Sequence, residues 1–133
     1  MVAFVSPQEA ADQIRLDLSV PPDARWISLW ITIVSAAIQS WLKDDWRAYV
    51  VERDTDGVMI LDSNGDPIFV LDTSDERIVR EEVIGACLLE LASQYRYREG
   101  EGDNVVPADA GYGYVLSKGA TALLQPLRRS TVA

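Results

Sequence analysis

A chain of 133 residues, of which 48% are hydrophobic and 25% charged, is typical of one folded domain and excludes wholesale disorder. Its 12 basic and 21 acidic residues give a net charge of -9, which argues against a protein that grips nucleic acid by neutralising phosphates. The absence of histidine and the single cysteine, Cys87, exclude an intrachain disulfide, a multi-cysteine zinc site and histidine-based catalysis. We therefore predict no catalytic residues, no bound metal and no cofactor.

The chain begins with the pattern of a helix start. Ser6 suits the N-cap, Pro7 the first helical position, and Glu9 the partner position of a capping box. A short helix is therefore predicted to run to about Leu16. Its inward side chains are predicted to be Ala10, Ala11 and Ile14.

A second, longer helix is predicted from Pro22 or Asp23 to about Asp44. Five polar residues recur at helical spacing and predict one polar stripe: Ser28, Thr32, Ser35, Gln39 and Lys43. Two apolar sides flank this stripe, one with Trp26, Trp30, Ile33, Ala37 and Trp41, the other with Ile27, Ile31, Val34, Ile38 and Leu42. So wide an apolar arc faces either the domain's own core or a neighbouring subunit. We favour a subunit interface for part of it, because few other elements remain to cover it.

Neither a secretion signal nor a membrane span is expected. The first residues lack the basic and long apolar segments of a secretory signal, which predicts a protein made in the cytosol. The uncharged stretch from Trp26 to Leu42 would form a helix of roughly 25 Å, against a hydrocarbon core of about 30 Å. It also contains several serine, threonine and glutamine side chains, so a core helix is favoured.

An alternating pattern follows between residues 46 and 73. It predicts three strands: 47–53, 58–61 and 68–71. Gly57 suits the first connection, and the Asn64-Gly65 pair is a strong hairpin signal in the second. We predict an inserted antiparallel β-hairpin or meander here, and no internal repeat anywhere in the chain. The hairpin's contact with a partner is assigned to Asn64, Gly65, Ile68 and Phe69.

The second connection also partly matches a calcium-binding loop. Asp62, Asn64 and Asp66 alternate as oxygen ligands do in such loops. However, Gly65 precedes the third ligand position instead of following it, and Thr73 stands where the loop needs a bidentate Glu. A plain turn is therefore favoured over a metal site.

A third helix is predicted to begin with Ser74 or Asp75 as its cap and to end before Gly100. Its core stripe is predicted to consist of Ile84, Cys87, Leu88, Leu91 and Tyr95. Because Cys87 belongs to that stripe, we interpret it as a small buried hydrophobe rather than a nucleophile.

The last part of the chain combines a Gly-rich acidic loop, 101–113, with a short helix from about Ser117. One face of this helix is predicted to carry Leu123, Leu124 and Leu127. Pro126 should end or kink it, because proline removes a helical hydrogen bond. Arg128 and Arg129 form a basic tip that either contacts carboxylates of a partner or completes the helix dipole. The predicted fold is one mostly α domain, 1–133, a small bundle of about four helices with the β insertion.

The sequence resembles the head-tail connector family of long-tailed phages, also described as adaptor or head-completion proteins. The resemblance spans most of the chain and rests on four strings in order: Ser6 to Ala10, Ala36 to Leu42, Val83 to Gly100, and Ala122 to Arg128. Two departures stand out. The 46–73 region is longer than in minimal members, and Ser117-Lys118-Gly119 stands where many relatives have a proline-led turn.

The resemblance implies a structural virion protein in the neck, at the portal vertex. Copies, about twelve of them, would form a ring that docks on the portal protein and meets the stopper or the tail. DNA would pass through the lumen without specific binding, which suits an acidic wall. The C-terminal segment, 116–133, would dock on the portal through Leu116, Leu123, Leu124, Leu127, Arg128 and Arg129. Truncation after Leu116 would then leave a folded domain that no longer binds the portal.

Two other classes of function remain open from the residues alone. A small cytosolic protein-binding or regulatory module would add its hairpin, 58–71, to the edge of a partner's sheet. An enzyme would be limited to carboxylate chemistry from groups such as Glu81, Glu82 and Glu90. The resemblance favours a non-enzymatic assembly subunit over both.

Overall fold

The computed structural model describes residues 3–98 and 116–128, and these contain four α-helices and one 3-10 helix. The α-helices are α1 (Pro7–Ile14), α2 (Pro21–Leu42), α3 (Glu81–Arg98) and α4 (Lys118–Arg128), and the 3-10 helix is Asp45–Ala48. All four α-helices contribute to one apolar core. The predicted mostly helical bundle is therefore confirmed, whereas the predicted loop at 101–113 lies outside the described residues.

Helix α1 begins with the predicted capping box. The Ser6 hydroxyl accepts the N–H of Glu9 at 3.1 Å, and the Glu9 carboxylate accepts the N–H of Ser6 at 2.9 Å. The helix ends at Ile14 because Arg15 adopts a left-handed conformation, with φ of 59°, and donates its N–H to the carbonyl of Ala11. The inward alanines are buried as predicted, and Ile14 packs at the edge of the core.

Helix α2 turns one full apolar side toward the core. Its buried residues are Ile27, Ile31, Val34, Ser35, Ile38 and Leu42. The predicted polar stripe is wrong at Ser35, which is fully buried and accepts the backbone N–H of Phe4 at 3.1 Å. A hydroxyl is suitable there because the buried N–H of Phe4 needs an acceptor.

Helix α3 packs chiefly against α4, and Gly119 lets the helices approach closely, whereas a side chain at Gly85 would make an ordinary contact. A Cβ on Gly119 would lie 3.3 Å from a methyl carbon of Leu89, and one on Gly85 would lie 3.6 Å from a methyl carbon of Leu123. In the predicted core stripe of α3, Cys87 and Leu91 are buried, whereas Ile84, Leu88 and Tyr95 are partly exposed. The predicted start at Ser74 or Asp75 is wrong, since both residues belong to a turn and α3 begins at Glu81.

Residues 49–80, which we call the turn module, connect the 3-10 helix to α3. They form five isolated antiparallel bridges and no regular strand. The predicted strands, and with them the inserted β-hairpin, are therefore not confirmed. In addition, Arg47 and Ala48, which were assigned to the first strand, belong to the 3-10 helix.

Three turns of one kind shape the module, at 54–58, 62–66 and 72–76. In each turn the first residue is an aspartate whose Oδ1 accepts the N–H groups two and four residues further on, at 2.8 to 3.0 Å. The N–H of the fourth residue donates to the carbonyl of that aspartate at 3.0 to 3.1 Å. Asp54, Asp62 and Asp72 thus anchor an internal repeat, so the prediction of no repeat is wrong.

Two closed rings of backbone hydrogen bonds join the three turns. Each ring has three residues. Every residue donates its N–H to the carbonyl of one of the other two, and its own carbonyl accepts the N–H of the third. The first ring consists of Val50, Val70 and Ile78, with N···O distances of 2.9 to 3.4 Å, and the second of Glu52, Ile60 and Ile68, with distances of 2.8 to 3.3 Å. Because each ring uses the N–H and C=O of its members, the module is held together without an extended ladder.

The fourth position of each turn adopts positive φ: 81° at Gly57, 83° at Gly65 and 61° at Asp75. A side chain is unfavourable in this conformation, so we expect Asp75→Gly to raise the free energy of unfolding by about 0.5–1 kcal/mol. Urea denaturation monitored by circular dichroism measures the change. The matched control is Gly65→Asp, which has open space around its Cβ and should lose a similar amount. Equal stability of both variants and the parent would contradict the conformational argument.

Candidate docking surfaces

The turn module exposes an aliphatic surface. Five of its six ring residues are β-branched and none of the five is buried: Val50, Ile60, Ile68, Val70 and Ile78. Three further aliphatic side chains, Val58, Leu61 and Leu71, are 50 to 59% exposed. We call these eight residues, taken together along the segment, the aliphatic surface. Exposed apolar side chains gathered in one short segment are typical of a protein-binding surface.

The turn module is also rich in exposed acidic side chains. Residues 49–80 contain eight Asp and Glu but three Arg, a net of -5 out of -9 for the whole chain. Each of the three turns contributes at least two of these carboxylates, and all eight acidic residues are exposed. A partner of this surface therefore needs apolar groups flanked by basic ones.

An aromatic stack fixes the module on the bundle. The Tyr49 ring lies edge-on to both Phe4 and Phe69, with ring centroids 6.1 and 5.8 Å apart. The guanidinium of Arg77 lies 3.9 Å from the centroid of Phe69. Since Phe4 is buried in the core, the stack links the module to α2 through the Phe4–Ser35 hydrogen bond.

The predicted hairpin contact residues are divided between these features. Asn64 and Gly65 are exposed at the tip of the second turn, and Ile68 belongs to the aliphatic surface. Phe69 lies in the aromatic stack. The same turn explains the partial calcium-loop pattern, because the Asp62 carboxylate accepts N–H groups of its own turn.

A second exposed surface runs along the outside of α2. We call it the outer stripe, and it consists of Arg25, Leu29, Thr32, Ala36, Ser40 and Lys43. Leu29, one helical turn from Arg25, is 58% exposed. The stripe has a basic residue at each end and no acidic residue in between, over about 27 Å of helix. The residues of the outer stripe are three or four positions apart, a spacing that the sequence shows. The predicted polar stripe follows a different line along the helix, through Ser28 and Ser35.

The tryptophan side of α2 lies mostly at the border of the core. Trp26, Trp30, Ala37 and Trp41 are partly buried and pack against core residues, and Ile33 is partly buried too. Trp26 also contacts Trp30 and Tyr95, with ring centroids 6.0 and 5.5 Å apart. For Trp26, Trp30, Ala37 and Trp41, this packing supports the alternative that they face the domain's own core and not a neighbouring subunit.

Both ends of α4 meet a buried charged side chain. At the beginning, a carboxylate oxygen of Glu90 accepts the N–H of Ser117 at 2.9 Å. At the end, the Arg47 guanidinium donates to the carbonyl of Leu127 at 3.2 Å and to Asp44 at 2.9 Å. Glu90 is 1% exposed and Arg47 is 7% exposed. The two charges complement the helix dipole and fix α4 in the bundle.

The predicted portal-docking leucines are therefore mostly core residues. Leu124 is fully buried, and Leu116 and Leu127 are 8% and 5% exposed. Leu123 alone among the four is well exposed, at 38%. The side chain of Arg128 and all of Arg129 lie outside the described residues. Of the two predicted effects of Pro126, an end or a kink of the helix, the end is wrong, because α4 continues through Pro126 to Arg128.

No family model, curated protein or solved structure matches this chain. Within residues 3–98 and 116–128, no helix is long and apolar enough to cross a membrane. The same residues contain no cluster of three or more His, Cys, Asp or Glu side chains suited to a metal ion. Of the carboxylates considered for enzyme chemistry, Glu90 binds Ser117, Glu82 pairs with Arg80 at 3.3 Å, and Glu81 is exposed.

The thiol of Cys87 is buried beside the hydroxyl of Ser35, with a separation of 4.0 Å. Burial raises its pKa to about 11, and the nearby Glu90 adds to the effect. We therefore expect the native thiol to resist an aromatic disulfide reagent at pH 8, because almost none of it is thiolate. Absorbance of the released thiolate measures the reaction, and the protein in denaturant is the control that should react fully. Fast reaction of the folded protein would contradict the burial.

Proposed function

We propose that this chain is a head-tail connector, or adaptor, subunit of a tailed phage. Copies form a ring that docks on the portal protein and joins the DNA-filled head to the stopper or the tail. DNA passes through the lumen without specific binding, and the protein resides in the neck of the virion. It works by docking to other chains and not by catalysis.

The observation that supports this proposal most is the placement of the four resembling strings. Ser6 to Ala10 forms the capped start of α1, and Ala36 to Leu42 ends α2. The described part of Val83 to Gly100 lies in α3, and Ala122 to Arg128 forms most of α4. Each string therefore corresponds to one helix of the bundle, in sequence order. Exposed aliphatic side chains on the turn module and on α2 are consistent with a subunit that has several neighbours.

The rival function, a regulatory module that adds a strand to a partner's sheet, has less support. Such recognition needs a strand edge with free N–H and C=O groups. In the turn module, six residues use these groups on each other in the two closed rings. No regular strand is present between residues 49 and 80 to offer an edge.

The test is co-purification with the portal protein encoded by the same phage genome, followed by electron microscopy. We expect a ring of density from this chain on the portal, seen from the side as an added collar. Leu123→Glu should weaken the attachment because Leu123 is the exposed leucine of α4, whereas Val20→Glu, at a residue with 41% exposure, is the matched control. A strict monomer that never binds the portal, even at high concentration, would exclude the proposed function.

A further inference from the structure

The turn module and the outer stripe of α2 have complementary properties. The module presents aliphatic side chains among exposed carboxylates, with a net charge of -5. The outer stripe presents Leu29 and Ala36 between two exposed cations, Arg25 and Lys43. Both surfaces combine apolar and charged side chains: those of the module are mainly acidic, whereas the stripe carries the cations Arg25 and Lys43, the latter beside the exposed Asp44 and Asp45. Such a pair gives both attraction and register when the surfaces meet.

We infer that the turn module of one copy docks on the outer stripe of α2 of the next copy. This contact rests on the proposed function in one respect, because both require copies of this chain to assemble with one another. Because the two surfaces are different, the contact is head-to-tail: every copy uses its module toward one neighbour and its α2 toward the other. Contacts of this kind close into rings when the rotation between copies is a whole fraction of a turn.

Charge selects a second copy through this pairing and disfavours a symmetric dimer. Two modules facing each other would bring carboxylates of six turns together, and two outer stripes would bring together Arg25 and Lys43 of both copies. Like charges facing each other across an interface are unfavourable. The pairing of a module with an outer stripe is the arrangement that places the carboxylates of the turns near Arg25 and Lys43.

The aliphatic centre supplies the affinity. Ile60 is 38% exposed on the second ring, and Leu29 is 58% exposed on the stripe. Their burial against each other removes apolar surface from water, which is the main favourable contribution to association. The closed rings hold the module's backbone in place, so little backbone freedom is lost on docking.

Disulfide trapping between two variants tests the contact directly. Leu29→Cys is mixed with Ile60→Cys under mild oxidation, alone at high concentration and with the portal protein. We expect a disulfide-linked dimer from the mixture and a ladder of higher oligomers from the double variant L29C/I60C. The native Cys87 is buried and should give no background. The matched control replaces Leu29→Cys with Leu89→Cys, which is 44% exposed but lies on α3, and should trap at least tenfold less.

Charge reversal tests the electrostatic part in the same assay. The two reversed variants are R25E/K43E, which takes the stripe from +2 to -2, and D56K/D66K/E76K, which takes the module from -5 to +1 and leaves the turn-anchoring Asp54 and Asp62 intact. Each reversed variant alone should trap at least tenfold less, because its two surfaces now carry the same charge. Mixing the two reversed variants should restore trapping, since each module then meets a stripe of opposite charge.

The outcomes separate this interface from the proposed function. A portal-bound ring without the 29–60 disulfide overturns the interface and leaves the proposed function standing. A disulfide from Ile60→Cys to the portal instead of to a second copy also overturns it. A 29–60 ladder in a protein that never binds the portal overturns the proposed function and leaves the interface standing. Trapping that is equal for the control pair, or unaffected by charge reversal, shows the inferred contact to be wrong.

Discussion

Truncation after Leu116 is expected to unfold the protein rather than to remove a separable docking segment. Helix α4 places Ala120, Leu124 and Leu127 in the core, and its loss would uncover the faces of α2 and α3 against which they pack. Deleting one buried leucine side chain costs about 2–5 kcal/mol. Two such losses are comparable to the total stability of a small domain, about 5–15 kcal/mol. The expectation of a folded truncated domain, which followed from the docking interpretation, is therefore replaced.

A single substitution tests the contribution of α4 to the stability of the core without removing the helix. Leu124→Ala should lower the free energy of unfolding by about 3 kcal/mol, because Leu124 is fully buried. The matched control is the adjacent Leu123→Ala, at a side chain that is 38% exposed, and it should cost less than half as much. Chemical denaturation of the full-length variants gives both values. A truncated chain that retains the parent's circular dichroism and a cooperative thermal transition would show that α4 is dispensable.

The elements that the sequence predicted correctly are those encoded by neighbouring residues. The capping box of α1 needs only Ser6 and Glu9, which are three positions apart, and both of its hydrogen bonds are present. The length and apolar content of α2 likewise follow from residues within the helix, and the predicted bounds differ from Pro21–Leu42 by one or two positions. Local chemistry specifies these features, so no knowledge of tertiary contacts is needed to predict them.

The errors concern residues whose role depends on distant partners. Ser35 matches a polar surface stripe by its spacing, but its acceptor role is set by Phe4, which is 31 positions away. Arg47 and Leu127 are 80 positions apart, so sequence spacing alone could not reveal that Arg47 binds the end of α4. The burial of α4, and with it the changed interpretation of its leucines, follows from such long-range contacts.

The repeated turn is an intermediate case, because its signal was present but incomplete. Asp54, Asp62 and Asp72 are each followed by Thr or Ser, and the first two have glycine three positions later. In the third copy Asp75 replaces the glycine, and the spacing changes from eight residues to ten. Because of these differences, Ser74 and Asp75 match the pattern of a helix N-cap, and the third turn was predicted as a helix start. The aliphatic surface formed by the turns was consequently predicted as regular strands.

Replacement of Arg47 by methionine is expected to have the second large effect. Methionine keeps much of the side-chain volume but cannot donate a hydrogen bond, so the carbonyl of Leu127 loses a charged donor. A hydrogen bond to a charged group contributes about 1.5–3 kcal/mol, and a cation at the end of a helix dipole adds up to about 2 kcal/mol when partly buried. We therefore expect Arg47→Met to lower the free energy of unfolding by about 2–3 kcal/mol.

A control variant and a second measurement distinguish the loss of the Arg47–Leu127 hydrogen bond from a general effect of losing a positive charge. Arg25→Met removes an exposed arginine from α2 and should change the stability by less than about 0.5 kcal/mol. Hydrogen exchange adds a local test, because α4 should lose protection selectively when its last turn loses the Arg47 donor. Glu90→Gln keeps an acceptor for the N–H of Ser117 but removes the charge, so it should cost less than Arg47→Met. If Arg47→Met and Arg25→Met proved equally stable, the C-terminal end of α4 would have to be held by apolar packing and not by Arg47.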